Sequence, residues 1–376
     1  MKAEAFIASR LRFKGRMAAV ATAVSFFVIV ISLAISGGFR AEIRRGISQL
    51  SGDVLLTGTA EPIPVKPTCY DKLAALPGVE SISPVIWKPA IVKGPDDIAG
   101  VLVKGVPMPD SCSLQASIPA RLSRKLQLGV GDSFTAWFVE EKVRARRFTV
   151  NSVYESLMDS DENLTVLVPL SDLQRLSGWS ADEAGALEVL LKDPAQGDKT
   201  AYMMSLLAYG NHTEDEDLLQ GSSARARYPQ LFDWLDLIDV NVLAIILLMT
   251  VVAGFNMISG LLILLFRNIS TIGMLKSMGM GNKAIAGVFL RVAARLVGIG
   301  MLAGNAAALL FCAVQGTTHL IKLNPANYFV SFVPVSLNIT TLLAVNALAF
   351  GAIMLLLLIP TLFISRVDPA ETVRVK

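Results

Sequence analysis

Two histidines and three cysteines are the side chains best suited to metal binding or nucleophilic chemistry, and their spacing supports little of either. His212 and His319 are too few and too far apart for a histidine metal site or a paired acid and base, and neither an H-E-x-x-H nor a G-x-S-x-G motif occurs. Cys69 and Cys112 fall in a polar region and Cys312 in an apolar run. The first two are either a disulfide, which an oxidising compartment permits, or two small buried apolar side chains. The acidic run that ends at Asp217 reads as a solvated loop rather than a metal site. No G-x-x-x-x-G-K-[ST] phosphate loop is present, so the chain is not expected to be an enzyme or to hydrolyse nucleotide itself.

The elements around these residues are set by hydropathy. Hydrophobic residues make up 53% of the chain and mean hydropathy is +0.55, above the roughly 45–50% apolar usage of a soluble domain. The excess concentrates in blocks at Met17 to Ser36, Val240 to Phe266, Leu296 to Gln315 and Leu337 to Ile364. Each is long enough for the roughly 20 residues that a bilayer core demands. The first block exceeds the roughly 7–15 residues of a signal-peptide core, so it is expected to span rather than be cleaved. None of the four carries Lys, Arg, Asp or Glu at its middle, which argues against a proton- or sodium-driven cycle.

Basic residues set the orientation. Lys2, Arg10, Arg12, Lys14 and Arg16 precede the first block; Arg267, Lys276, Lys283, Arg291 and Arg295 lie between the second and third; Arg366, Arg374 and Lys376 follow the fourth. The positive-inside rule makes these three segments cytoplasmic, against the opposing placement of Arg40, Arg44 and Arg45. The expected order is a cytoplasmic segment 1–16, a span 17–36, an exported domain 37–239, a span 240–266, a cytoplasmic helix 267–283, a span 284–315 with a cytoplasmic extension, a short outer loop 316–336, a span 337–365 and a cytoplasmic tail 366–376. Residues 5–16 are either an amphipathic helix in the inner interface or a basic flank of the first span.

Between the first two spans the chain alternates short β-like runs, at Asp53–Thr57, Gly100–Lys104, Ser133–Phe138, Arg147–Val153 and Thr165–Val168, with helical stretches. Those helices are expected at Cys69–Leu76, Pro119–Gln127, Leu170–Leu176 and about Asp198–Leu207. The fold class is therefore an α-helical membrane domain of four transmembrane helices with a mixed α+β exported domain inserted between helices 1 and 2. Two further patterns bear on mechanism. Ile269, Ile272, Leu275 and Met278 recur at helical spacing in a stretch too polar to span, and Gly279 and Gly281 stop it. Gly300 and Gly304 have the spacing that lets membrane helices approach closely.

Several motifs together resemble the FtsX-like permeases of ABC systems, and most of all their LolC/LolE members. They are Phe6–Arg10 and Ser36-Gly-Gly-Phe39 around the first span, Leu128-Gly-Val-Gly-Asp132 and Phe148–Glu155 in the exported domain, and Phe255–Gly260 running into Ile272–Gly279. Tyr328–Val335 before the last span and Arg366–Glu371 after it complete the set. The resemblance implies a non-catalytic permease in the inner membrane of a Gram-negative-type bacterium, with its large domain in the periplasm. It implies a separate LolD-like ATPase that binds ATP and Mg, a second permease copy or paralogue, lipoprotein cargo and a periplasmic carrier, and no nucleic acid. The cytoplasmic helix then becomes the ATPase-coupling element, through Ile272, Met274, Leu275, Lys276, Met278 and Gly279. A gate for lipid or lipoprotein would run between the first span of one subunit and the second span of another. Its residues would be Val28, Ile31, Ser32, Ile35, Ser36 and Phe39 on the first, and Val240, Leu243, Ala244 and Leu247 on the second. One departure is plain: the long proline-containing hairpin arm of LolC is replaced by the tight connection Phe138–Arg146.

Overall fold

A computed structural model describes residues 16–94, 97–139, 143–155, 164–211, 213, 216–324, 330 and 332–362. The amino-terminal segment, His212, part of the Tyr328–Val335 motif and the basic tail lie outside the described residues. In chain order the elements are α1 (Arg16–Ser51), β1 (Val54–Thr57), β2 (Ile63–Pro64), α2 (Tyr70–Ala74), β3 (Val79–Lys93), β4 (Ile98–Val106), β5 (Gln115–Pro119), α3 (Ala120–Leu126), β6 (Ser133–Val139), β7 (Val143–Tyr154), β8 (Thr165–Pro169) and α4 (Leu170–Ser177). There follow β9 (Glu183–Ala184), β10 (Ala186–Leu191), α5 (Gly197–Asn211), β11 (Gln220–Ser223), α6 (Ala224–Arg227), α7 (Pro229–Arg267), α8 (Ile269–Ser277), α9 (Asn282–Thr318), α10 (Ile339–Leu356) and α11 (Leu358–Thr361). They form two compact units: an α/β unit of residues 40–234 with 322–332, and a helical unit of the rest.

Among the described residues four helices are long and apolar enough to cross a membrane: α1, α7, α9 and the α10–α11 pair. Two of them run well beyond the expected spans. Helix α1 continues past Ser36 to Ser51, carrying Arg40, Arg44 and Arg45 on its extension, and α7 begins at Pro229 rather than Val240. Hydropathy marks only where a helix would meet hydrocarbon, whereas neither extension contains an internal Pro to stop the backbone. Helix α1 ends where Gly52 adopts φ +63° and its N–H bonds the Ser48 carbonyl at 3.1 Å.

In the helical unit the core gathers Phe26 of α1, Met257, Leu261, Leu264 and Leu265 of α7, Ile285, Phe289 and Val297 of α9, and Ile353 of α10. Glycine decides where α9 meets α1. A Cβ on Gly304 would fall 2.3 Å from the Ala23 carbonyl oxygen, and one on Gly300 would fall 2.9 Å from that of Ala19. The small-residue spacing thus admits the α1 backbone itself. Thr22 and Ser25, buried at this seam, turn their hydroxyls back to the Ala18 and Ala21 carbonyls, at 2.9 and 3.2 Å.

The α/β unit is organised by one long strand. The first part of β3, Val79 to Val85, pairs antiparallel with β10, which continues to β1 and β11. Its second part, Ile86 to Lys93, pairs with β4 on one side and β6 on the other. That second pairing closes the circuit β3-β4-β8-β5-β7-β6 into a barrel. Period-two alternation fills it: Ala99, Val101 and Val103 of β4, Phe134, Ala136 and Phe138 of β6, and Phe148 and Val150 of β7 point inward. Leu170 and Leu173 of α4 pack on this core. The other lobe packs Leu73 of α2 and Ala201, Met204 and Ala208 of α5 against Val54, Leu56, Leu187 and Val189.

All five expected strands and all four expected helices of this unit form, and the structure adds strands β2, β3, β5, β9, β10 and β11 and the short helix α6. Pro84 and Pro89 interrupt the strand pattern of β3, and Ala186–Leu191, apolar but for Glu188, is buried at nearly every position and so shows no alternation. Cys69 is buried, and no disulfide joins it to Cys112.

Candidate coupling helix and outer gate

Helix α8 is a separate short element because the chain breaks at both ends. Asn268 leaves helical geometry after α7, and its side-chain amide donates to the Leu264 carbonyl at 2.9 Å. At the other end Gly279 takes φ +83°, while the N–H groups of Gly279 and Met280 close onto the carbonyls of Lys276 and Leu275 at 2.9 and 3.0 Å. Between these stops the helix has two faces. Ile272 and Gly273 are buried in the helical core, and Ile269 and Leu275 pack against the same cluster. Met274 and Met278, one turn apart, are 60% and 77% exposed, with Ser270 and Ser277 beside them. Lys276 is half-buried and Gly279 exposed. Of the six residues expected to couple, Ile272 anchors the helix from beneath and the two methionines form its open surface. Thioethers on unbranched side chains suit a surface that must fit a partner of adjustable shape.

The gate residues separate by helix. On α1, Val28, Ile31, Ser32 and Ile35 are half-buried, and Ser36 and Phe39 are buried. On α7, Ala244 is exposed, and Val240, Leu243 and Leu247 are 62%, 65% and 65% exposed. Leu243 and Leu247 line an apolar groove of about 600 Å³ with Leu348, Ala352 and Leu355 of α10. Thr250 also borders it, but its hydroxyl is committed to the Ile246 carbonyl at 2.7 Å, so the groove offers no polar recognition from that side. None of the α1 residues lines this groove. The structure links the two sets elsewhere: Ser36 Oγ donates to Asp239 Oδ1 at 2.6 Å, one residue before Val240.

Asp239 escaped sequence reading because an acid at the edge of an apolar block is ordinary; only the facing Ser36 gives it a role. A second unanticipated feature lies at the outer ends of α9 and α10. Buried Gln315 accepts from the Ile321 N–H at 3.1 Å and donates to the Val333 carbonyl at 3.1 Å, while Val333 N–H bonds the Ile321 carbonyl at 3.0 Å. The strap this fixes, Val333–Ser336, bonds α1 through Ser336 N–H to the Ala34 carbonyl at 2.9 Å.

Within the α/β unit the carboxyl end of α1 is held by buried charge. Lys104 of β4 donates to the Leu50 carbonyl at 2.7 Å and to Glu188 of β10 at 2.9 Å. Arg227 donates to the carbonyls of Ser51 and Gly52 at 2.8 and 2.6 Å. Cations at a helix carboxyl terminus satisfy its unpaired carbonyls and oppose the negative end of its dipole. Burial pushes the Lys104 pKa down and that of Glu188 up, since desolvation disfavours both charged forms and outweighs their mutual attraction. The pair ties two strands and a helix end together.

Residues 243–369, covering α7 from its outer half through the last span, match the family described as FtsX-like permease C-terminal. The lipoprotein-releasing system transmembrane protein LolC of Xylella fastidiosa, from strains Temecula1 and 9a5c, is 20% identical over 388 residues, covering 94% of this chain and 91% of each relative. Among solved structures, the extracellular domain of the noncanonic ABC-type transporter YknZ from Gram-positive bacteria aligns with 45% of this chain and 99% of its own, at 14% identity and a TM-score of 0.31. The periplasmic region of MacB from Actinobacillus actinomycetemcomitans aligns with 50% of this chain and 94% of its own, at 12% identity and a TM-score of 0.32. A multi-pass chain of this type works with an ATPase partner. Residues 243–369 thus carry the FtsX-like permease C-terminal region, and the chain as a whole is similar to the LolC permease.

Proposed function

We propose that this permease extracts lipoproteins from the outer leaflet of a Gram-negative inner membrane and passes them towards the outer membrane. The observation that carries the reading is the near end-to-end likeness to the LolC relatives, which covers the α/β unit as well as the spans. In this reading the α/β unit lies in the periplasm, which the basic residues around α8 and α9 support. A separate ATPase binds ATP and Mg and docks on the Met274 and Met278 face of α8, with Ile272 and Leu275 transmitting its movement into the helical core. Acyl chains enter between α1 of one permease and α7 of a second copy or paralogue. The exposed Val240, Leu243, Ala244 and Leu247 offer them an apolar, shape-tolerant wall. The β6–β7 connection is only three residues long, with Val139 facing Val143 in register, so a periplasmic carrier would engage some surface other than a long hairpin arm.

Depletion of the protein in cells is expected to strand outer-membrane lipoproteins in the inner membrane, read by membrane fractionation. Leu243→Trp and Leu247→Trp, which narrow the gate without adding charge, are expected to reproduce that defect while leaving the ATPase bound. Normal sorting on depletion would sink the reading. Recovery of a cell-wall hydrolase instead of acylated protein on purification would favour an FtsX-like mechanotransmitter.

A further inference from the structure

The helices of the α/β unit do not all meet solvent in the same way. Helix α2 turns Asp71 and Lys72 outward, α3 turns Arg124 and Lys125, and α4 turns Arg175. Beyond Lys199, helix α5 carries no charged residue. Ala201, Met204 and Ala208 pack in the core of its lobe, while on the other side Tyr202, Met203, Leu206 and Tyr209 are 66%, 41%, 49% and 67% exposed. A helix that is apolar all round is ordinarily covered on both sides, and an apolar face left open to water marks a contact site. The open side is also concave. Tyr202, Leu206 and Tyr209 line a groove of about 480 Å³ together with Gly58 and Leu218. Within it Ser205 is already committed, its Oγ donating to the Ala201 carbonyl and accepting from the Gly221 N–H, both at 2.9 Å.

Negative charge borders the groove. Leu218 directly follows the run Glu214-Asp-Glu-Asp217. Asp217 accepts from the Ala60 N–H at 2.8 Å, and its Oδ2 lies 2.7 Å from where a Cβ on Gly58 would fall, which places the carboxylate at the groove wall. Glu216 accepts from the Thr68 N–H and hydroxyl at 3.0 and 2.8 Å. These donors are neutral, so the bonds fix the carboxylates without cancelling their charge. Lys72 bonds Asn211 at the end of α5 instead. We infer that the open face of α5 docks a soluble protein partner that presents a short apolar segment flanked by Lys or Arg. Tyrosine and methionine are enriched in the cores of protein interfaces, and a rim of one sign steers in a partner of the other. Two other occupants are disfavoured by the same charge. A surface of anionic lipid would be repelled by the acids, and a second copy of the chain would bring the same acids to the contact. The site stands apart from the gate, whose residues lie on α1 and α7.

The test uses the full chain, purified in lipid nanodiscs and panned with phage displaying random dodecapeptides. The peptides recovered are expected to combine Leu, Phe or Trp with Lys or Arg. Tyr202→Ala with Tyr209→Ala should weaken binding of the best synthetic peptide at least about tenfold, with tryptophan fluorescence unchanged as the check on folding. Glu216→Gln with Asp217→Asn keeps the hydrogen-bond acceptors, removes the charge and should weaken it about threefold. In cells, p-benzoylphenylalanine placed at Leu206 is expected to attach to a segment of another protein with the same apolar and basic composition. Recovery of acidic or wholly apolar peptides, or equal binding by either pair of substitutions, overturns the site. So does attachment only to lipid, only to a second copy of the chain, or to nothing.

Discussion

The barrel and the helical unit each bury a phenylalanine to 1% exposure, Phe148 in one and Phe289 in the other, yet different forces keep them there. Around the barrel the alternative to burial is water, so Phe148 is held by apolar transfer as well as by contact with its neighbours. Around the helices the alternative is hydrocarbon, which is as apolar as the core, so Phe289 is held by packing and shape alone. The same side chain is worth less in the second place. This explains why the barrel is assembled by alternation of Val, Phe and Ala, whereas α1 and α9 meet at glycines, where close approach is the available source of attraction.

Three substitutions test that contrast. The largest expected effect is Phe148→Ala, at about 3–5 kcal/mol, because it loses transfer energy and leaves a cavity. All four tryptophans, Trp87, Trp137, Trp179 and Trp234, lie in the α/β unit, so denaturant titration of the full chain by fluorescence isolates this loss. Next is Gly304→Leu, expected to cost about 3 kcal/mol as α9 is forced off the Ala23 carbonyl. Its signature is reduced helical melting temperature by circular dichroism with the tryptophan transition unchanged. The smallest is Phe289→Ala, at about half the cost of Phe148→Ala, since the transfer contribution is missing. Equal losses for the two phenylalanines would break the comparison.

The legible parts of the fold were the local ones. Four apolar blocks, the alternation of β4, β6 and β8, and the glycine stop after α8 are each written within about 20 consecutive residues, so periodicity and turn chemistry reveal them. Element lengths were harder. Hydropathy ended α1 at Ser36, but the helix continues to Ser51, where its carbonyls meet Lys104 and Arg227 from distant parts of the chain. On α8 the spacing of Ile269, Ile272, Leu275 and Met278 announced an amphipathic helix, while the direction of its apolar stripe was set by the core beneath. Ile272 therefore went inward and Met278 outward.

By itself the sequence determined the four apolar helices, the short helix between the second and third, the mixed α/β character of the region between the first two, and the lack of a phosphate loop. These follow from composition and short-range spacing, which act before any long-range contact forms. Only the tertiary structure decided that β3 serves two lobes and closes a barrel, that the strap sits on Gly37 and Gly38, and that Ser36 finds Asp239 across 203 positions of chain. Such pairings depend on which surfaces remain once local elements have formed, and no periodicity along the chain records them.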